Sequence, residues 1–333
     1  MRNFIFVIIL SFLAPPLHGL SVLDSGFQAR PSGMGNAFIG LCDDSSALYY
    51  NPAALHEVPK HQVSAGYSTT FAMADNVSFS YVLPGLNYPS FLVKNPRPDF
   101  GVSILVNTLM DSGIRGYSAP ALAEPGAYIK GKEYDYSENL IMLGMGTRVK
   151  NLLMMQWSLG AGVKYFSRKL ADASASGIGL DLGLNLKHKF FNFGIAARNL
   201  AAKLSGDGLD EDLPVILRFG TLLKVQRIIK NIFSTKDRKP EKDTFNVPSE
   251  FMNFVVNPVI DAELTFEDTS RFDLFTGLEA WLNELLALRF GYNTIYGFGF
   301  GGSVQISRFR LDYSCQPHDE LENTHKVSGS FYF

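Results

Sequence analysis

Cysteine is nearly absent: Cys42 and Cys315 are the only two in 333 residues. That excludes a small disulfide-stapled scaffold and the paired cysteines of zinc sites. Cys315 shares a strand face with Leu311 and Tyr313, away from Cys42, so two free thiols are expected. Six histidines show no ligand spacing, and neither metal nor cofactor is expected. An excess of one charge is missing too: 30 basic against 32 acidic residues leave −2, without the basic face that nucleic acids require. No run reaches the ~18 apolar residues of a spanning helix. No pairing of nucleophile and base is legible, so no catalytic residue is assigned. The acidic loop Asp207 to Asp212 lacks the order of a calcium hand. Gly177-Ile178-Gly179 and Gly297-Phe298-Gly299 precede no helix and read as strand glycines.

What the chain has in quantity is Gly (30) and Phe (27), set in alternation. Ile178, Leu180, Leu182, Leu184 and Leu186 stand against Gly179, Asp181, Gly183 and Asn185, the period of a strand. The same pattern runs through Val63–Phe71, Val77–Leu83, Phe100–Val106, Ile141–Val149, Trp157–Tyr165, Phe191–Ala197 and Leu217–Val225. It resumes at Ile260–Phe266, Phe272–Ala280, Leu288–Tyr292, Phe298–Ile306, Phe309–Tyr313 and Val327–Phe333. That makes about 14 strands of roughly 9–11 residues, enough to cross a bilayer at a tilt, and an even number suits closure. Met110–Ser137 and Asn199–Leu213 read as outer loops, and the charged stretch 227–249 as an insert on the inner side.

One strand face is Leu, Ile, Val, Phe, Tyr and Trp almost without charge. The other carries Arg148, Lys164, Asp181, Arg198, Arg218, Asp261, Glu263, Asp273, Glu279, Arg289, Arg310 and Asp312 among Gly and Ser. A soluble sheet exposes Lys, Glu and Thr instead, so the mixed-sign face suits a crowded lumen and the apolar face suits lipid. Trp157 and Tyr165 stand roughly 20 Å apart in height at ~3.3 Å per residue and ~40° tilt, close to the spacing of aromatic girdles. The expectation is an all-β transmembrane antiparallel barrel of about 14 strands. Among the inward cations, Lys164, Arg218, Arg289 and Arg310 are candidates to receive a ligand carboxylate. The competing role is pairing with inward Asp181, Asp273, Glu279 and Asp312.

The N-terminus reads as an export leader: Met1-Arg2-Asn3, then the apolar run Phe4–Leu13, with cleavage near Gly19. Residues 1–19 are therefore a signal peptide, 20–60 an N-terminal plug and 61–333 the barrel. The plug does not alternate. Gly33 and Gly35 mark tight turns. Asp43 or Asp44 caps a turn running to Tyr50, Asn51 ends it, and Pro52 opens another over Ala53–Leu55.

Gly33-Met34-Gly35-Asn36-Ala37, the Asp43-Asp44 pair, Tyr50-Asn51-Pro52-Ala53-Ala54-Leu55 and the terminal Phe333 together resemble the long-chain fatty acid transporter (FadL) superfamily. Within it, PorV-like and similar outer-membrane proteins are nearest. The resemblance implies a 14-stranded barrel in the outer membrane of a diderm bacterium, plugged by an N-terminal hatch. Gly33, Gly35, Asn36, Asn51, Pro52 and Ala53 occupy the hatch motif. It implies passive uptake of hydrophobic or amphipathic molecules such as long-chain fatty acids. It also implies contact with outer-membrane lipid and recognition of Phe333 by the barrel assembly machinery. The PorV-like relatives suggest an alternative, an envelope partner in secretion or surface assembly. A third reading, a barrel enzyme, predicts a Ser–His or acidic cluster at one rim.

Overall fold

Alternation in the sequence becomes a closed wall in the fold. The computed structural model describes residues 21–23, 25–70, 74–86, 100–118, 129–152, 154–207, 209–228, 254–266, 270–318 and 322–333. The expected leader and Phe71 lie outside the described residues. Among the described residues two short helices, α1 (Ala29–Gly33) and α2 (Ala47–Tyr50), and a 3₁₀ turn (Pro52–Glu57) come before the strands. Strands follow as β1 (Gln62–Thr70), β2 (Ala74–Leu86), β3 (Phe100–Ser118), β4 (Ile129–Leu152), β5 (Met155–Leu170), β6 (Ala173–Lys187), β7 (Phe191–Gly206) and β8 (Leu209–Asp212). The wall continues with β9 (Val215–Leu223), β10 (Phe254–Phe266), β11 (Arg271–Leu282), β12 (Leu286–Asn293), β13 (Gly297–Ile306), β14 (Phe309–Gln316) and β15 (Thr324–Tyr332).

Neighbouring strands pair antiparallel, and β1 pairs with β15 to shut the ring. Fourteen strands form the barrel; β8 is an extra strand paired only to the upper end of β7. Gln62 and Phe333 share one rim, here the lower, where the Phe333 amide donates to the His61 carbonyl at 3.1 Å. The wall has the two faces expected of it. Lys164, Asp181, Asp261, Glu279, Arg289 and Asp312 are buried inward. Outward residues such as Ile178, Ile260, Leu288 and Ile306 are 55% exposed or more, a belt that only lipid can cover favourably.

Three stretches depart from expectation. Residues 110–118 and 129–137 are not loop: β3 and β4 continue through them to the pair Ser118↔Ile129, while 119–128 lie outside the described residues. Register shifts at Asp111/Ile114 and Arg115/Tyr117 break the alternation there, which hides the strands from a period-two reading. Residues 199–206 are also strand, the upper half of β7. Val225 belongs to a helical turn over 225–228, because the β9 ladder ends at the pair Leu223↔Phe191. The insert 227–249 lies outside the described residues beyond Ile228.

The upper half of β7 carries two successive shifts against β6, between Ile178/Leu180 and Leu180/Leu182. Each adds a residue to β7, with Asn199 at φ 59° and Ala201 at φ 49°. Arg198 and Asn199 therefore both turn inward, although they are adjacent.

Candidate functional site

Residues 21–23 and 25–58 fill the lumen. Their backbone approaches the wall so closely because the wall offers no side chain there. Gly101, Gly146, Gly160 and Gly183 lie side by side on four strands, facing in. A Cβ on Gly160 would stand 2.3 Å from the Ala53 nitrogen, and one on Gly146 would stand 2.3 Å from the Pro52 carbonyl oxygen. Gly277, Gly291 and Gly299 form a second row, against Met34 and Gly35.

The motif residues all meet the wall. Gly33 packs on Gly301, where an added Cβ would come within 3.0 Å of its Cα. Gly35, at φ +60°, lies against the Tyr292 backbone, and its carbonyl accepts from Asn293 Nδ2 at 3.1 Å. Asn36 accepts from the Tyr50 hydroxyl at 3.0 Å through its side chain, and from Arg218 through its carbonyl. Asn51, extended at φ −154°, caps the 3₁₀ turn by accepting from the Ala53 N–H at 3.1 Å and donates to the Leu184 carbonyl. Asp44 Oδ1 accepts from the Ser46 N–H just before α2, but the helix N-cap is Ser46 itself, without a side-chain cap bond, so the acidic pair does not cap α2.

A closed ring of alternating charge joins the segment to the wall. Arg30 pairs with Glu279 (2.8 Å) and Asp44 (2.9 Å). Glu279 pairs with Arg289 (2.8 Å), Arg289 with Asp312 (3.2 Å), Asp312 with Arg310 (2.8 Å), and Arg310 with Asp44 again (2.9 Å). Asp43 adds a branch to Arg30 at 2.5 Å. Burial alone would push the Asp44 carboxyl up, but Arg30 and Arg310 outweigh it and hold the group at about 2. An unfolded aspartate titrates near ~3.9, so this stabilisation is complete above that pH and lost as pH falls through about 2. In proteoliposomes the lumen should stay sealed to ions down to about pH 4 and leak progressively below it. A leak that instead begins near neutrality would assign the seal to other groups.

Of the four candidate cations, three pair with acids at 3.2 Å or less, although Arg289 Nη2, like Arg218 Nε, has no hydrogen bond among the described residues. Lys164 Nζ donates to Asp181 at 2.6 Å and to the inward-turned Asn199 at 2.5 Å. Arg289 and Arg310 belong to the ring. Asp273 pairs with Arg271 instead, at 2.5 Å. Only Arg218 borders open space. It faces Asp261 at 3.4 Å and Glu263 at 3.6 Å, lies 3.8 Å over the Phe275 ring, and has no hydrogen bond at Nε among the described residues. The cavity beside it opens toward the upper rim, between the segment and β7, β9, β10 and β11. Arg198, Arg218, Arg271, Glu263, Tyr49, Tyr50 and Phe275 line it. It is narrow, with a volume of about 30 Å³, room for little more than a water molecule. Two stacks hold its floor: Arg198 4.6 Å over Tyr49, and Tyr49 edge-on to Tyr50 at 5.0 Å.

Sequence reasoning missed Arg30, Arg271, Tyr49 and Phe275. The signal for Arg30 was present: it is the one Lys or Arg between residues 21 and 58, which also hold Asp24, Asp43, Asp44 and Glu57. A Ser–His contact also exists, Ser158 Oγ to His56 Nε2 at 3.3 Å, with His56 Nδ1 facing the Ala53 carbonyl at 3.1 Å. Ser158 is wholly buried under the 3₁₀ turn, so in this arrangement the pair fastens segment to wall. Both cysteines are free.

No protein-family model and no curated protein matches the sequence. Solved structures do match. The toluene transporter TodX of Pseudomonas putida superposes with a TM-score of 0.58 at 14% identity, over 92% of this chain and 98% of that one. The CymD monoaromatic hydrocarbon channel gives 0.54 at 11%, over 92% and 98%. A FadL homologue of Pseudomonas aeruginosa gives 0.52 at 11%, over 93% and 100%. The fold is the FadL-type barrel. At these identities the likeness concerns fold alone. Within the FadL-type wall, the ring, the glycine rows and the upper cavity are read from this chain's own residues.

Proposed function

We propose that this chain resides in the outer membrane of a diderm bacterium, exported by its leader, and passes hydrophobic and amphipathic molecules inward without an energy source. The observation that carries the reading is the upper cavity, where three guanidinium groups and one carboxylate surround aromatic faces. An anionic head with an apolar body, such as a long-chain fatty acid, matches that lining: Arg218 offers a carboxylate charge-assisted hydrogen bonds while Tyr50 and Phe275 cover the first methylenes. The described cavity is too narrow for such a ligand. Entry therefore requires residues 21–58, or their upper part, to move as a hatch. TodX and CymD, named for toluene and monoaromatic hydrocarbons, support an apolar cargo.

The test is flux of a fluorescent long-chain fatty acid and of toluene into proteoliposomes. Both should exceed empty vesicles. Arg218→Lys keeps the charge and loses the planar fork, so fatty-acid affinity should fall about tenfold, the worth of one charge-assisted bond, with toluene flux unchanged. Equal flux in protein-free vesicles would falsify the transport reading; equal loss for both compounds would remove the carboxylate role.

A further inference from the structure

The outward face of the wall changes character abruptly on one side only. Phe79, Val106, Ile141, Tyr165 and Ile178 lie side by side in register high on the apolar belt, and above them on β4, β5 and β6 the outward residues turn polar, while β2 and β3 still expose Val77 and Met110. One step higher, about 7 Å along each strand, Thr108, Asn139, Ser167, Ser176 and Ser205 make an unbroken row of hydroxyls and one amide. Ser137, Lys169 and Ser174 stand in register above them. Asp207 is occupied by Ser174, accepting from its N–H at 2.7 Å and its hydroxyl at 3.0 Å. With Tyr165 as floor, these rows bound an outward-open hollow of about 400 Å³. Across the barrel the outward face stays apolar to its upper turns, where Phe266, Phe272 and Phe298 are exposed.

We propose that this hollow binds the phosphorylated sugar head of an outer-leaflet glycolipid, whose acyl chains run down the belt below. The inference rests on the outer-membrane placement proposed above. A row of hydroxyls with one amide, beside an aromatic ring, matches a sugar, whose own hydroxyls both donate and accept. Lys169 is exposed and has no ion pair among the described residues, so its ammonium is available to a phosphate as a point charge. The height of the row matches the lipid, because a head held at Ser167 and Ser176 places acyl chains directly on Tyr165 and Ile178. A free sugar has no use for that apolar wall, and a phospholipid head has too few hydroxyl partners for the row.

The test is native mass spectrometry after detergent exchange in an equimolar mixture of phosphorylated lipid A and phosphatidylethanolamine. The wild type should keep one lipid A per barrel. Ser167→Leu with Ser176→Leu should lower that retention about tenfold, the effect of two lost hydrogen bonds, while Phe272→Leu on the opposite wall changes nothing. Should the double leucine variant not fold, as read by heat-modifiable gel mobility, Lys169→Ala with Ser176→Ala carries the same expectation. Undiminished retention in the folded variant, or equal retention of phosphatidylethanolamine by the wild type, overturns the proposal. Fatty-acid and toluene flux should be unaffected by these variants, so failure here and failure of the transport reading are told apart.

Discussion

Replacing Arg30 with methionine will unseal the lumen. The substitution keeps the stem and removes one of three arginines from the ring, leaving Glu279, Asp44 and Asp43 short of a partner. Breaking a buried pair by removing one member costs about 3–5 kcal/mol. The lower end applies here for a structural reason. Glu279 keeps Arg289, Asp44 keeps Arg310, and the Asp43 side chain, 47% exposed, returns to water. About 3 kcal/mol raises the undocked fraction roughly 150-fold, since each 1.4 kcal/mol is tenfold. The measurement is single-channel conductance in planar bilayers, where the wild type should be closed nearly all the time and Arg30→Met should show frequent openings. Adding Glu279→Gln should recover part of the seal, because it removes one of the stranded charges. A variant as quiet as the wild type would mean that the glycine contacts alone hold the segment.

The second large effect is steric. Valine at Gly160 places a Cβ 2.3 Å from the Ala53 nitrogen, and alanine at Gly183 places one 2.2 Å from Asn51 Oδ1. Neither neighbour can yield cheaply. One is backbone, and the other is the cap of the 3₁₀ turn, bonded on both sides. Overpacking of this kind costs about 1–3 kcal/mol per site, and the pair acts on one short turn. Gly160→Val with Gly183→Ala should displace residues 51–57 and expose the Asn51–Pro52 region to protease in intact barrels. Gly329→Ala is the control: it faces outward, its nearest neighbours would be 3.6 Å away, and it should change nothing. If both variants resist digestion equally, the close approach is not what fixes the turn.

Much of this was legible because a strand repeats every two residues, so one glance along Ile178–Leu186 separates lipid from lumen. Burial of Asp181, Glu279 and Asp312 follows from the same parity. Parity fails where a residue is inserted. The doubled bulge in β7 turns both Arg198 and Asn199 inward, and no one-dimensional period encodes that. The extended β3–β4 ladder is hidden in the same way, by irregular pairing around Asp111 and Arg115. The cavity was less visible still. Lys164, Arg218, Arg289 and Arg310 look alike in sequence, and only pairing across strands distinguishes them. Three find acids within bonding distance, whereas Arg218 meets its acids at 3.4 and 3.6 Å and an aromatic face. Arg30 and Glu279, 249 residues apart, could be joined only by knowing where the segment lies.

The segment also straddles the place where the first strand meets the last. Ser45 donates to Ser64 of β1 at 2.8 Å, the Ala29 N–H donates to Ser328 of β15 at 3.3 Å, and Asp44 holds Arg310 of β14. It thus works as a clasp across the seam, made from residues synthesised before β1 and fastened to strands synthesised after β13. During biogenesis those residues wait unfastened until β14 and β15 arrive. A chain truncated before Phe309 would accordingly lose its interior seal along with its ring closure, both at one stroke.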